Sequence, residues 1–251
     1  MSERALSRRD LLKALVVGAS VYGPLSPLSA LAQDSSDEGI TGLLKEPEAG
    51  FVFARLWYQG GDWNTDMRDK GLKGGSEINL LERVLAETTI KTQARETVVR
   101  LTDPLVFTAP FLYITGHGKV WLTDEEVANL RSVLEAGGFL FADACNGKGA
   151  GFDANFRAAL RRVFPDRPLQ PLPMSHPLFH CFYDVNTILG GDKLIDPFME
   201  GIEIDGRLVV LHTVNDLGCA WEGHPCRPHG EEQRDQAFRL GINMIVYALT
   251  H

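Results

Sequence analysis

The chain has 251 residues, of which 44% are hydrophobic and 23% charged, as expected of a soluble globular protein with one α/β domain or two small ones. A formal net charge of −8 and a pI near 5.4 argue against a nucleic-acid or anionic-membrane partner, because both require a basic face. The four cysteines, at positions 145, 181, 219 and 226, are too few and too scattered for a disulfide scaffold.

The N-terminus carries the pattern of an export signal. Residues 7–13, SRRDLLK, match the twin-arginine consensus, and an apolar run over residues 14–22 follows. This run is too short to span a bilayer, which needs about 20 residues. Ala30-Leu31-Ala32 is an A-x-A cleavage motif, so we predict a signal peptide over residues 1–32. We therefore expect export by the twin-arginine translocase to the oxidising periplasm, with no stable transmembrane anchor after cleavage.

A flexible leader over residues 33–50 and a single α/β domain over residues 51–251 are expected next. Apolar runs predict the strands, and 3.6-residue periodicity predicts the helices. Helix starts are indicated by Ser76 or Asn79 and by the capping-box spacing Thr123-x-x-Glu126. The alternation of the two patterns implies a parallel sheet with right-handed crossovers. The predicted strands are Phe51–Tyr58, Thr97–Leu101, Phe111–Thr115 and Phe139–Ala142, and the predicted helices are Ile78–Thr89, the one beginning at Thr123, and Asp153–Phe164.

The last third of the chain has a different pattern. Residues 198–214 predict a β-hairpin, because Asp205-Gly206 is a strong turn signal between two apolar runs. Residues 215–221 are expected to form a polar loop after the hairpin, and residues 233–249 a closing helix.

Polar residues follow several of the predicted strands, where ligands bind in open α/β sheets. Trp63 is able to stack on a sugar or base while its neighbours bind hydroxyls, or simply to cover the edge of the core. The loop over residues 147–151 offers backbone N–H groups to an anion but lacks the Walker spacing. We expect a polar pocket with the side chains of Asp62, Trp63, His117, Asp143, Cys145, Asn146, His176 and Asp216, and with the backbone of Gly116, Gly118 and Gly147.

Cys145 is a candidate nucleophile, with His117 as its base and Asp143 two residues before it on the strand. The alternative is a half-buried structural cysteine. The spacing of His176, His180 and Cys181, and that of His224, Cys226 and His229, suits a metal, although neither repeats a known zinc pattern. A Cys219–Cys226 disulfide or unpaired surface residues are the alternatives, and the sequence specifies no particular metal or cofactor.

Residues 51–249 resemble the bacterial domain-of-unknown-function family 4159. The matching stretches, in order, include FARLWYQGGDW, YITGHG, LRSVLEAGGFLFADACNG, HPLFHCFY, NDLGCAWEG and RLGINMIVYALT. The resemblance implies a fold similar to class I glutamine amidotransferases: a flavodoxin-like three-layer sandwich with a mostly parallel sheet, here with a C-terminal β-hairpin. The G-x-C-x-G elbow of the amidotransferases is missing, which argues against glutaminase activity.

Three functions follow as hypotheses. The first is an exported protein that binds a small polar ligand, such as a carbohydrate or cell-envelope component, at the strand ends. The second is a hydrolase that uses Cys145 or an activated water, with His117 as base. The third is a non-enzymatic interaction module of the envelope, which would present an exposed apolar patch.

Overall fold

The computed structural model describes residues 50–67 and 75–251. The predicted signal peptide and all of the predicted leader except Gly50 lie outside the described residues. A seven-stranded sheet runs through the described part, in the order β2-β1-β3-β4-β7-β6-β5. Its strands are β1 (Phe53–Trp57), β2 (Thr97–Arg100), β3 (Phe111–Gly116), β4 (Phe139–Ala144), β5 (Gln170–Pro171), β6 (Glu200–Ile204) and β7 (Arg207–Thr213).

The sheet is mostly parallel. Strands β2, β1, β3, β4 and β7 run in one direction, and β6 and β5 are antiparallel additions at one edge. Strands β6 and β7 form the predicted hairpin, with Asp205 (φ 51°) and Gly206 (φ 78°) in the left-handed region at its turn. Two successive positive φ angles are what a tight type I′ turn requires.

Helices cover both faces of the sheet and complete a three-layer α/β sandwich. Two hydrophobic clusters, one on each face, form the core. On one face α1, α4 and α5 pack together, and on the other α2 packs against α3. The helices are α1 (Ser76–Glu87), α2 (Asp124–Glu135), α3 (Gly151–Val163), α4 (Leu217–Glu222) and α5 (Glu231–Thr250).

The central strands show why the sheet is sandwiched. Every residue of β3 and β4 is buried, as expected for parallel strands covered on both sides. Alternate side chains enter opposite clusters: Tyr113 and Phe141 face α1, α4 and α5, whereas Leu112 and Leu140 face α2 and α3. This alternation also directs Asp143 to the face of α1, α4 and α5.

The predicted capping box is confirmed at the start of α2. The hydroxyl of Thr123 accepts a hydrogen bond from the backbone N–H of Glu126 at 3.1 Å, and the Glu126 carboxylate accepts one from the N–H of Thr123 at 2.7 Å. The predicted caps of α1 are wrong, because Gly75 occupies the N-cap without a side-chain bond. The side chain of Asn79 instead donates to the carbonyl of Trp221 at 2.8 Å, and so ties α1 to α4.

The expectation of a polar loop over residues 215–221 is also wrong. Residues 217–222 form helix α4, and residues 215–222 are all buried. The polar side chains of this stretch form hydrogen bonds inside the protein, as described below. In the described part of the chain, no helix has the length and apolar character needed to cross a membrane.

Candidate functional site

The sheet contains a topological switch point between β1 and β3. The chain leaves β1 through α1 to reach β2 on one side, and leaves β3 through α2 to reach β4 on the other. Since α1 and α2 lie on opposite faces, the two connections diverge and leave a crevice beyond the carboxyl ends of β1 and β3. Ligands of open α/β sheets bind in such a crevice.

Asp62, from the loop after β1, contacts His117, from the loop after β3, across this crevice. Its Oδ2 lies 2.5 Å from the ring Nδ1 of His117, and its Oδ1 accepts the backbone N–H of His117 at 2.9 Å. The side chains are 41% and 49% exposed, respectively. Burial raises the pKa of Asp62, but the hydrogen bonds from the backbone and ring of His117 outweigh it and lower that pKa.

The Asp62–His117 contact fixes the chemistry of the imidazole. Because an ionised carboxylate only accepts hydrogen bonds, the Nδ1 of His117 donates, and in the neutral ring Nε2 is then the acceptor. A carboxylate that orients a histidine in this way is the usual support of a general base.

The backbone carbonyls of Gly116 and His117 accept hydrogen bonds from the loop after β4 and from the start of α3. Asn146 Nδ2 donates to the carbonyl of His117 at 2.7 Å, and the N–H of Phe152 donates to the same carbonyl at 3.0 Å. The N–H of Cys145 donates to the carbonyl of Gly116 at 3.3 Å. The loops after β3 and β4 are therefore joined to each other by hydrogen bonds. Gly147, in the second loop, has φ 89°, in the left-handed region.

Trp63 lies beside Asp62 but is half-buried against the core cluster of the α2 and α3 face. Its carbonyl accepts a hydrogen bond from Arg55 Nε at 2.8 Å. Trp121, which the sequence did not single out, is 53% exposed, and its backbone N–H donates to the carbonyl of Gln59 at 3.0 Å. The exposed indole next to the loop of Asp62 is thus that of Trp121.

Cys145 lies in a second group of side chains, on the face of α1, α4 and α5. Its Sγ is 3.6 Å from the Sγ of Cys219, and the Oδ1 of Asp66 is 4.0 Å and 3.7 Å from these two sulfurs. Asp216 completes the group, and one ligand atom from each of the four residues lies within 4.8 Å of the others. We call Asp66, Cys145, Asp216 and Cys219 the thiol–carboxylate cluster. It joins the loops after β1, β4 and β7.

Asp216 has the most constrained backbone of the cluster. It is fully buried at φ 61° and ψ 64°, in the left-handed region, where a non-glycine residue is uncommon. One carboxylate oxygen caps α4 by accepting the N–H of Cys219 at 3.3 Å. The other accepts Lys193 Nζ at 2.9 Å, and the same ammonium donates to the carbonyl of Cys145 at 2.8 Å. The left-handed turn aims the carboxylate into the cluster.

The cluster does not activate Cys145 as a nucleophile. Its hydrogen bond with Cys219 lowers the pKa of the Cys145 thiol, but burial and the nearby carboxylates outweigh it and raise that pKa to about 11. A reactive cysteine needs the opposite shift. The ring Nδ1 of His117, the base expected for Cys145, is bound to Asp62 instead.

Asp143 is a further buried carboxylate, and it contacts the first turn of α4. Its Oδ2 accepts the N–H of Gly218 at 2.7 Å, whereas its Oδ1 receives no hydrogen bond from the described residues. The same holds for the Oγ1 of Thr115, its register partner on β3, and for the Oδ2 of Asp66. Burial and the charge of Asp216 raise the pKa of Asp143 well above its usual range.

The histidines expected from spacing lie elsewhere and do not join a common site. His176 is 8% exposed, with its Nε2 3.2 Å from Glu203 of β6 and its ring beside Tyr247 of α5. His180 Nε2 bonds the carbonyl of Met174 at 2.7 Å. Cys181 Sγ donates to the carbonyl of Asn243 at 3.2 Å. Within the described residues, the thiol–carboxylate cluster is the one group of three or more side chains with metal-binding geometry.

The Cys219–Cys226 disulfide, one of the alternatives left open by the sequence, is absent, since the four cysteines are free and Cys219 contacts Cys145. Sequence reasoning missed Asp66 and Lys193, and named Cys219 only for that disulfide. Asp66 follows β1 in the same loop as Asp62, so the strand-end rule was the available signal for it. Lys193 carries no such signal, because it reaches the cluster from the loop that precedes β6.

Fold and site together define an open, mostly parallel α/β protein with polar side chains gathered at its strand ends. The chain belongs to the family described as domain of unknown function DUF4159, whose pattern matches residues 52–249. No curated protein matches the chain.

Proposed function

We propose that this protein is exported to the periplasm and binds a small polar ligand in the crevice between β1 and β3. The observation that carries the proposal is the Asp62–His117 contact, at 2.5 Å, which crosses the switch point with both side chains about half exposed. A contact between two polar side chains that served only to stabilise the fold would gain little in such an exposed position. The exposure is what a bound ligand requires.

A hydroxyl-rich ligand, such as a carbohydrate or a cell-envelope component, suits these groups. The carboxylate of Asp62 accepts hydrogen bonds from hydroxyls, and the Nε2 of His117 accepts one more. The exposed face of Trp121, on the adjacent loop, offers an apolar surface on which a sugar ring stacks.

The test is a calorimetric or NMR titration of the mature protein with a panel of sugars and soluble envelope fragments. We expect saturable binding by the wild-type protein and at least a tenfold loss in Asp62→Asn and in His117→Ala. The matched controls are Asp184→Asn and His180→Ala, which alter another exposed Asp–His pair, 3.1 Å apart, outside the crevice. Equal loss in both pairs of variants, or no binding by the wild type, would refute the proposal.

Export rests on the sequence alone, because residues 1–32 lie outside the described residues. Replacing Arg8 and Arg9 by lysine preserves charge but removes the twin-arginine pattern. We expect the precursor then to accumulate in the cytoplasm, whereas the wild type appears in the periplasm with Gln33 at its N-terminus. Unchanged periplasmic accumulation of the double variant would show that the motif is not used.

Hydrolysis is the second candidate, and the orientation of His117 by Asp62 favours it. In this mechanism the Nε2 of His117 takes a proton from an attacking water, and Asp62 stabilises the resulting imidazolium. Cys145 is a poor nucleophile for this chemistry, because its thiol pKa is raised to about 11. Turnover that disappears in His117→Ala but persists in Cys145→Ala would support hydrolysis by activated water, and the reverse would implicate the thiol.

A further inference from the structure

We propose that the thiol–carboxylate cluster is a closed, four-coordinate site for one divalent metal ion of the zinc class, with the ligands Asp66, Cys145, Asp216 and Cys219. Nothing in this inference depends on a ligand in the β1–β3 crevice. It is carried by the geometry of the four donors, their chemistry, and the buried carboxylate oxygens beside them.

The distances among the donor atoms of Cys145, Cys219 and Asp66 are close to the edges of a tetrahedron around zinc. With zinc about 2.3 Å from sulfur and about 2.0 Å from oxygen, two sulfurs lie about 3.8 Å apart and a sulfur and an oxygen about 3.5 Å apart. The Sγ atoms of Cys145 and Cys219 are 3.6 Å apart, and Cys219 Sγ is 3.7 Å from Asp66 Oδ1. The longest of these edges, from Cys145 Sγ to Asp66 Oδ1, is 4.0 Å. An ion at the centre therefore reaches these three donors with small adjustments, and the Asp216 oxygen, which lies within 4.8 Å of each of them, would move closer to complete the site.

The donor types select the class of metal. Calcium and magnesium prefer six or more oxygens, whereas two thiolates favour zinc and other soft or borderline ions. Binding of M²⁺ by two neutral thiols forms two metal–sulfur bonds and releases two protons, with no change of oxidation state. Because all four positions are protein ligands, the site belongs to the structural rather than the catalytic class of zinc sites.

Buried acceptors independently point to a cation here. Asp143 is 0% exposed, and its Oδ1 accepts no hydrogen bond from any described residue. Its other oxygen accepts the N–H of Gly218, and a Cβ added to Gly218 would lie 2.8 Å from the Oδ2 of Asp66, which is also buried and unpartnered among the described residues. With Asp216, three carboxylates converge on this region. Each buried carboxylate must be either protonated or paired with a cation, and a divalent ion in the cluster supplies that cation.

Direct ligation of the metal would clamp three loops together. Asp66 follows β1, Cys145 follows β4, and Asp216 and Cys219 begin α4 after β7. Lys193 would remain outside the coordination sphere, where its ammonium holds Asp216 and the carbonyl of Cys145. Contacts of this kind orient metal ligands.

A disulfide between Cys145 and Cys219 is the principal alternative. It requires the sulfurs to approach from 3.6 Å to about 2.05 Å and an oxidant to remove two electrons and two protons. It also adds no cation beside the unpartnered buried oxygens of Asp66 and Asp143. Intact mass separates the two states, since a disulfide lowers the mass by two hydrogens whereas metal binding adds an ion under native conditions.

The experiment is a titration of the chelator-treated mature protein, kept reduced, with Zn²⁺ and separately with Co²⁺. We expect one equivalent to bind, and the cobalt form to show the thiolate charge-transfer absorption and the visible bands of a tetrahedral site. Cys145→Ser, Cys219→Ser and Asp66→Asn should each weaken binding by more than about 100-fold, beyond the loss typical of supporting contacts. Cys181→Ser and Cys226→Ser, outside the cluster, are the matched controls and should bind as the wild type does.

The cobalt spectrum of the wild type tests the site even if a variant fails to fold. Absence of the thiolate band, or binding unaffected by Cys145→Ser and Asp66→Asn, would overturn the proposal. So would recovery of the periplasmic protein with Cys145 and Cys219 joined in a disulfide. Because no sugar or envelope fragment is used, a negative result in this experiment does not contradict the proposed binding of a ligand in the crevice.

Discussion

Arg55 of β1 and Glu77 of α1 form an ion pair whose side chains are both 0% exposed. The same guanidinium donates through Nη2 to the carbonyl of Thr65 at 2.6 Å and lies over the ring of Tyr113. It thereby fixes the loop that carries Asp62 and Asp66 against the sheet. One buried arginine supports both the crevice and the thiol–carboxylate cluster.

Breaking the pair between Arg55 and Glu77 should be costly. We expect Glu77→Gln to lower the free energy of unfolding by about 3–5 kcal/mol, because it leaves a buried guanidinium without its counter-ion. Urea denaturation measures this change. The control is Asp124→Asn, which removes the charge of the exposed pair with Arg162 and should cost far less stability. Similar losses in both variants would contradict the assigned role of Arg55.

Acid should destabilise the protein through Asp153, at the start of α3. Burial raises the pKa of Asp153, but hydrogen bonds from His212, the N–H of Gly149 and Arg157 outweigh it and place that pKa well below its usual range. Its contribution to stability is therefore present above the unfolded pKa, about 3.9, and is lost as the pH falls towards the folded value.

The variant Asp153→Asn isolates this effect. At pH 7 we expect it to be less stable than the wild type by about 3–5 kcal/mol, since buried His212 and half-buried Arg157 lose their carboxylate. The difference should shrink below about pH 4, because the carboxylate of the unfolded wild type then begins to bind a proton while that of the folded protein does not. Urea denaturation at several pH values measures it, and a difference that stays constant down to about pH 2.5 would exclude Asp153 as the acid-sensitive group.

Gly218→Ala should weaken metal binding by the thiol–carboxylate cluster, although it replaces none of the four metal-binding residues. A Cβ at this position lies 2.8 Å from both Asp66 Oδ2 and the hydroxyl of Tyr113, closer than side-chain carbons normally come. Asp66 must then move, and we expect at least a tenfold loss of Zn²⁺ affinity. In Gly118→Ala, by contrast, the nearest atom is 3.9 Å away, so metal binding should be unchanged. Unaltered affinity in Gly218→Ala would mean that Asp66 does not bind the ion.

Cys145 should react slowly with alkylating agents in the reduced, metal-free protein at pH 8. The side chain is 2% exposed, and burial together with the nearby carboxylates raises the pKa of its thiol to about 11, which disfavours the reactive thiolate. We expect labelling of the native protein to be at least 100-fold slower than labelling of the unfolded chain. Mass spectrometry of the peptide that contains Cys145 measures both rates. A fast labelling rate that reaches its plateau near neutral pH would instead show that Cys145 forms a reactive thiolate and is a nucleophile.

The sequence predicted the order of strands and helices well, because these elements carry local signals. Thr123 and Glu126 specify a helix start by themselves, and Asp205-Gly206 specifies a turn. The strand-end rule also predicted that the residues around Asp62 and His117 would meet at one edge of the sheet.

The thiol–carboxylate cluster could not be predicted from local sequence patterns. Cys145 and Cys219 are separated by β5, β6 and β7 along the chain, and their contact depends on β7 pairing with β4. The stretch from Asn215 has the composition of a surface loop, and its burial follows from internal partners: Asn215 bonds the loop at Ile195, and Asp216 bonds Lys193. Tertiary structure, rather than local preference, decides such segments.

The measurement that tests the central claim most directly is native mass spectrometry of protein purified from the periplasm, with Asp62→Asn prepared in parallel. We predict a mature chain beginning at Gln33 that carries a small organic mass, and a variant of the same length that lacks it. A wild-type chain without any organic adduct, or an adduct retained by Asp62→Asn, would contradict ligand binding at the Asp62–His117 crevice.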